Sequence, residues 1–219
     1  MPARTYGQHC ALAKSLDLVG DRWTLLIVRE LLDGPQRYGD LLTGLAPIAT
    51  DMLAGRLRDL ERHGLVRKRD LPKPATGSVY ELTDDGAALE EVINALARWG
   101  RHLIVRREPG DIVRPEWLVR AARAFVRDDR SGPDVVVRLA MPEGGTTIRI
   151  GPDSVDVVGD DVAADVTLTG QVDVIAAAMD PDRVDELVGV GKLHIAGEPR
   201  QLRRRAKVFE PPRARVPVD

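Results

Sequence analysis

The chain has 219 residues, a formal net charge of -2, 43% hydrophobic and 30% charged residues and only 4% aromatic ones; that suits one large or two small cored domains and excludes a globally disordered chain. No run approaches the ~18 apolar residues of a membrane span, and Met1 to Gln8 lacks the apolar stretch of a secretion signal. One cysteine rules out an internal disulfide framework, and it falls with the four histidines at no metal-ligand spacing, so the expectation is a soluble cytoplasmic protein without membrane, metal or cofactor.

Charge is unevenly placed. Residues 1–107 carry 16 basic and 14 acidic side chains, and residues 108–219 carry 16 and 20. Between Arg56 and Lys73 seven basic residues face three acidic ones, whereas Ser131 to Glu198 holds four basic against thirteen acidic. A basic patch inside a near-neutral protein is either a local footprint for a polyanion or a solvated helix face.

In chain order, Leu12, Leu16 and Val19 predict a helix over Ala11 to Val19, stopped by Gly20. Asp21 is the expected N-cap of a second helix, Arg22 to Leu32, with Trp23, Leu26, Ile27 and Leu31 on its apolar side. Asp33-Gly34-Pro35 ends it, and a short helix follows at about Tyr38 to Thr43. After the Pro47-Ile48-Ala49 turn, Thr50 is the expected cap of a fourth helix running to about His63 and ended by Gly64.

That fourth helix is the informative one. Leu53, Leu57 and Leu60 form one narrow stripe, so Asp51, Gly55, Arg58 and Arg62 lie opposite, flanked by Ala54 and Asp59. An outward face of small and basic residues suits a DNA major groove, where arginine reaches guanine edges and phosphates. Gly55 costs a helix interior about 1 kcal/mol relative to Ala; close approach of another surface, or plain tolerance, accounts for it. Leu65 to Arg69 and Val79 to Leu82 read as two strands around a Pro/Gly loop, with Lys73, Thr76 and Ser78 at its tip. Helices followed by a basic hairpin make a winged helix-turn-helix. A last helix from Thr83-Asp84-Asp85 carries Leu89, Val92, Ile93, Leu96 and Leu103, a stripe for a two-fold partner or for the domain's own interior.

Cys10, Asp17 to Trp23, Asp33 to Tyr38, Leu57 to Val66 and Tyr80 to Gly86, in that order, resemble the HxlR-type winged-helix transcriptional regulators over roughly residues 8–105. The resemblance implies a homodimer paired through the terminal helices of the domain and bound to double-stranded DNA. The candidate DNA-binding residues are Arg37, Thr50 and Asp51 at the groove edge, Gly55, Arg58 and Arg62 of the fourth helix, and Arg67, Lys68, Arg69, Lys73 and Thr76 of the wing. Some members use a cysteine near the position of Cys10 as a redox or electrophile sensor; the other reading of Cys10 is a buried structural thiol. His9 is the only basic residue directly beside it, and Ala11 stands where many relatives have proline.

Residues 105–114 look like a junction, giving domains 1–108 and 109–219. Arg114-Pro115-Glu116 opens a helix whose apolar side is Trp117, Leu118, Ala121, Ala122 and Phe125. Four segments, Val135–Ala140, Thr146–Ile150, Val155–Val158 and Ala164–Leu168, alternate with turn chemistry and predict an antiparallel meander. Helical spacing returns at Val172–Met179 and Val184–Val188, followed by a strand at Lys192 to Gly197 and a closing helix from Pro199 to Phe209. The stretches Asp165 to Gly170, Gly191 to Gly197 and Leu202 to Phe209 resemble the sterol carrier protein 2-like fold over roughly residues 111–209. The whole chain is then α+β in two domains, a winged helix-turn-helix and a sterol carrier-like antiparallel sheet with helices. The resemblance implies an apolar cavity for a hydrophobic small molecule, with Trp117, Phe125, Val137, Ile148, Ile175 and Met179 as candidate lining or as plain core.

No catalytic constellation emerges, so an enzyme is not expected. Gly189 to Lys192 fails as a phosphate loop because Glu186 and Leu193 occupy required positions. Ser154 lacks the glycine framing of a nucleophile elbow, Asp160-Asp161 reads as a solvated turn, and Arg203-Arg204-Arg205 as an anion contact, a cover for the acidic domain or a solvated run. Three functions stand: an effector-controlled regulator, a small-molecule carrier or accessory protein using its winged helix for protein contact, and a redox regulator acting through Cys10.

Overall fold

The structure, a computed structural model, describes residues 5–104, 108, 110–112, 114–126 and 133–197. The expected closing helix and the Arg203 to Arg205 run lie outside the described residues. By its internal contacts the chain divides into two units, Met1–Ile93 and Asn94–Asp219.

The first unit opens with α1 (Ala11–Val19), α2 (Thr24–Leu31), α3 (Tyr38–Gly44) and α4 (Thr50–Arg62). The hairpin β1 (Val66–Asp70) and β2 (Ser78–Leu82) follows, then a one-turn α5 (Asp84–Ala87) and α6 (Leu89–Gly100), which runs on past the division between units. Val19, Ile27, Val28, Leu31, Leu41, Leu45, Leu53, Leu57, Leu60 and Val66 form its core. Burying each such side chain contributes about 1.5–3 kcal/mol.

Three local expectations change. Asp21 does not cap the second helix: α2 starts at Thr24 after a turn in which Thr24 N–H bonds Asp21 O, and the Asp21 carboxylate bonds Arg56 instead. Thr50 is likewise the first residue of α4 rather than its cap, which falls on Ala49. The single helix expected after Thr83 is two helices meeting at Ala88, followed by a 3-10 turn at Arg101–Ile104. Thr83 caps the first of them through a bond from Gly86 N–H (3.1 Å).

The second unit holds α7 (Pro115–Phe125), strands β3 (Val135–Met141), β4 (Gly144–Ile150), β5 (Val155–Val158) and β6 (Val166–Thr169), helices α8 (Val172–Ala178) and α9 (Val184–Gly189), and β7 (His194–Gly197). Strict alternation buries Val135, Val137, Leu139 and Met141 on one side of β3, as the two-residue period of a strand requires. The sheet order is β5-β4-β3-β6-β7. The antiparallel meander expected across all four segments holds only for β3, β4 and β5, because β6 lies on the far side of β3 and runs parallel to it. The sheet is therefore mixed. In the connection from β5 to β6 the Asp160 carboxylate pairs with Arg138 on β3 (2.7 Å) and accepts from the Thr147 hydroxyl on β4 (3.2 Å). Asp160 and Asp161 are both exposed in this turn, as expected of a solvated one.

Candidate nucleic-acid interface

Helix α4 turns Leu53, Leu57 and Leu60 completely inward, all at 1% exposure or less. The opposite side then has to face solvent. Thr50, Asp51, Arg58 and Arg62 are exposed there, with Gly55 half-exposed between them. A Cβ built at Gly55 would meet no atom within 4 Å. Nothing inside the described chain therefore requires glycine at this position.

The cations of α4 are not equivalent. Arg56 is held by Asp21 and Asp59, and Arg62 Nη1 lies 2.9 Å from the other Asp59 oxygen. Among the described residues Arg58 makes no hydrogen bond or ion pair, which leaves its five donors to an outside acceptor. Met52, 41% exposed in the first turn, adds an apolar side chain that the sequence reading did not single out.

In the wing, antiparallel register sets Arg67 opposite Glu81 and Lys68 opposite Tyr80. Strand alternation sends Arg67 and Arg69 to one face and Lys68 to the other. Arg67 Nε donates to Glu81 Oε1 (2.7 Å) and Arg69 Nε to Glu81 Oε2 (2.9 Å), so one carboxylate aligns two guanidinium groups. The bonds from Arg67 first, then Arg69, hold the Glu81 carboxyl below the usual glutamate range. Lys68 Nζ sits 5.8 Å from the Tyr80 ring centre, on its face. Lys73 and Thr76 are exposed in the loop, and Arg37 Nη1 donates to Thr76 O (2.9 Å). Glu81 escaped the sequence reading because a lone glutamate in a strand carries no signal until the hairpin register is known. With that register, its position opposite Arg67 is a cross-strand charge pair.

The other expected sites are placed as follows. Phe125, Val137, Ile148, Ile175 and Met179 are all buried members of the second unit's core, while Trp117 is half-buried beside the Arg114 guanidinium. Cys10 is exposed at the residue preceding α1, so the buried-thiol reading is set aside. Among the described residues no group of three or more His, Cys, Asp or Glu side chains could hold a metal, and no helix is long and apolar enough to cross a membrane.

A helical body with an exposed fourth helix and a basic hairpin is a winged helix-turn-helix. The family model for the HxlR-like helix-turn-helix matches residues 18–108. The HTH-type transcriptional regulator YodB of Bacillus subtilis is 34% identical over 102 residues, 47% of this chain and 88% of that protein. An uncharacterized HTH-type transcriptional regulator of Mycobacterium tuberculosis (strain H37Rv) is 32% identical over 136 residues, 62% of this chain and 85% of that one. Among solved structures, the reduced form of YodB aligns at 34% identity over 48% of this chain and 100% of its own, with a TM-score of 0.40. The chain belongs to the HxlR-like helix-turn-helix family.

Proposed function

We propose that this protein is a homodimeric, DNA-binding transcriptional regulator, with residues 1–108 as reader and 109–219 as an effector domain for an apolar small molecule. The observation that carries the reading is α4: a fully buried leucine stripe backed by exposed Arg58 and Arg62 around an open Gly55. Arg58 is the base-reading residue and Arg62 a base or phosphate contact, with Thr50 and Asp51 at the groove edge. Arg67, Arg69, Lys68 and Lys73 meet phosphates along the wing.

The dimer is supported by apolar side chains left in solvent. On α1, Leu12 and Leu16 are exposed, and on α6 and the turn after it so are Val92, Leu96, Trp99 and Leu103. Spacing of 4 and 3 residues makes Val92, Leu96 and Trp99 one seam suited to a facing helix, with Leu103 just beyond it in the turn. An operator built of two half-sites matches such a pair of readers. The sterol carrier-like reading of the second domain is supported by its sheet, layered with α7 and α8 over an apolar interior. A hydrophobic effector would act through unequal affinity for DNA-competent and incompetent arrangements, a coupling of about 1–3 kcal/mol.

The test is selection of duplexes from a random library by the full chain, followed by binding at several salt concentrations. Enrichment of a two-fold sequence with a steep salt dependence is expected; no enrichment at any salt overturns the reading. Native mass spectrometry of freshly purified protein then reads subunit count and any retained ligand together. A second reading, redox control through Cys10, is supported by the exposure of that thiol beside the first turn of α1. A Cys10→Ser variant whose DNA binding responds to peroxide as the parent does excludes it. Tight lipid retention with weak, salt-insensitive DNA binding would favour a carrier.

A further inference from the structure

Three consecutive residues, Gln36, Arg37 and Tyr38, reach the wing strand, the wing loop and the recognition helix. The Gln36 backbone exchanges two hydrogen bonds with Tyr80 of β2, donating to Tyr80 O (2.9 Å) and accepting from Tyr80 N–H (2.8 Å). Arg37 Nη1 donates to Thr76 O in the wing loop (2.9 Å). Gly77 makes room for that bond: it sits at φ 92°, and a Cβ there would come within 3.1 Å of the same Nη1. The Tyr38 hydroxyl donates to Thr50 O (2.7 Å), at the first residue of α4. One tripeptide at the start of α3 is thus bonded to the wing strand, the wing loop and the recognition helix.

The wing needs such a tie. Pro72 to Gly77 are all exposed, and a loop with so little buried surface is held by polar contacts or not held at all. A duplex presents groove and phosphates at fixed spacing, so a wing free to swing would lose much of the benefit of a second contact point. Arg37 is already committed to Thr76, although its charge alone suggests a phosphate contact.

We infer that Gln36–Arg37–Tyr38 is the coupler that fixes the wing at one distance from the recognition helix, and that Arg37 is a positioning residue for the wing phosphate contacts. This deepens the DNA-binding reading and rests on it. In the coupler, Arg37 acts through Arg69 and Lys73, so its loss removes the benefit of those cations along with its own bond. An independent phosphate contact would behave otherwise, since separate contacts contribute separately.

The experiment is a double-mutant cycle in the full chain, read by anisotropy on a duplex that the wild-type protein has selected from a random library. Arg37→Ala is expected to weaken binding about tenfold and Arg69→Ala about fivefold, with the double variant no worse than about fifteenfold where independent contacts would give about fiftyfold. Tyr38→Phe, which removes only the bond to Thr50, is expected to narrow the preference for the selected duplex over calf-thymus DNA about threefold. Hydrogen exchange of the DNA-free protein supplies a second measurement, with faster exchange across residues 71–80 in Arg37→Ala and an unaltered α2. Multiplying losses in the cycle, together with unchanged wing exchange, overturn the coupler while leaving DNA binding intact. A wild-type chain that enriches no duplex overturns the functional reading beneath it.

Discussion

Helices α4 and α6 carry the same kind of apolar stripe and meet opposite fates. On α4, Leu53, Leu57 and Leu60 are closed off from water, whereas on α6 Val92, Leu96 and Trp99 remain 44%, 47% and 70% exposed. Both follow helical spacing, so periodicity alone reports that a face must be covered and not what covers it. For α4 the cover is this chain's own core. For α6 only Ile93 is buried and Leu89 half-buried, which leaves the rest of the stripe for a second copy under the proposed dimer.

The sharpest way to break this contrast is to shorten one leucine on each helix. Leu57→Ala should cost about 2–5 kcal/mol, because the lost transfer energy is joined by the cost of a cavity that cannot fully collapse. Urea unfolding followed by circular dichroism would read it as a lower midpoint at every protein concentration. Leu96→Ala should leave monomer stability nearly unchanged and act through association, so its midpoint shift should depend on concentration. Equal, concentration-independent losses for both would erase the distinction.

Next in size is the seam itself. Trp99 is the largest exposed apolar side chain on α6, and large aromatic residues dominate interface energies. Trp99→Glu should weaken self-association by about 2 kcal/mol or more, visible in sedimentation velocity as a shift toward monomer at micromolar concentration. The same variant should keep the helical signal of the parent. Loss of that signal would mean that Trp99 supports the fold, and the seam reading would fall.

Where the sequence sufficed and where it did not follows the range of the interactions. The bounds of α1 and the sides of α4 are local matters of spacing and glycine, and Ala11–Val19 was legible to the residue. Asp21 misled because its partner, Arg56, lies 35 positions away. Close packing is equally invisible locally: Gly86 lies against the Leu65 carbonyl so closely that no Cβ fits. The parallel pairing of β6 with β3 concerns which strands lie side by side, and the alternation within each segment does not report that. At the candidate site the exposed Arg58 could be assigned from helical phase alone. Glu81 and Tyr38 could not, since each matters through a residue brought close only by the fold.

Gly55 separates fold from proposed function more cleanly than any arginine. Replacing it by Ala puts a methyl into open space within this chain, so the folded protein should gain about 1 kcal/mol from helix propensity. If a duplex approaches this face closely, the same methyl should weaken DNA binding. Thermal unfolding and anisotropy on one preparation would read both signs. A variant more stable and equally tight would show that the glycine was merely tolerated.

The smallest effect is set by pH, through three carboxyls of which Glu81 lies in the wing. Glu81 is lowered in the folded chain by its bonds from Arg67 and Arg69, Asp17 is lowered by the Tyr6 N–H and the Thr5 hydroxyl, and Asp160 by Arg138 and Thr147. A carboxyl whose folded pKa lies below its unfolded value binds its proton more readily when unfolded. Its contribution is therefore complete above the unfolded value, near about pH 4, and is lost as pH falls through the lower folded value. The melting midpoint should stay level from pH 7 to about 5 on this account and decline below about 4. Because these pairs sit at the surface, where water and salt screen them, the decline should be shallow and smaller still in high salt. Glu81→Gln should flatten part of it, since glutamine has no proton to take up. A variant whose midpoint falls with pH as steeply as the parent's would show that the two arginines gain nothing in stability from the carboxylate between them, leaving alignment of the wing as its only role.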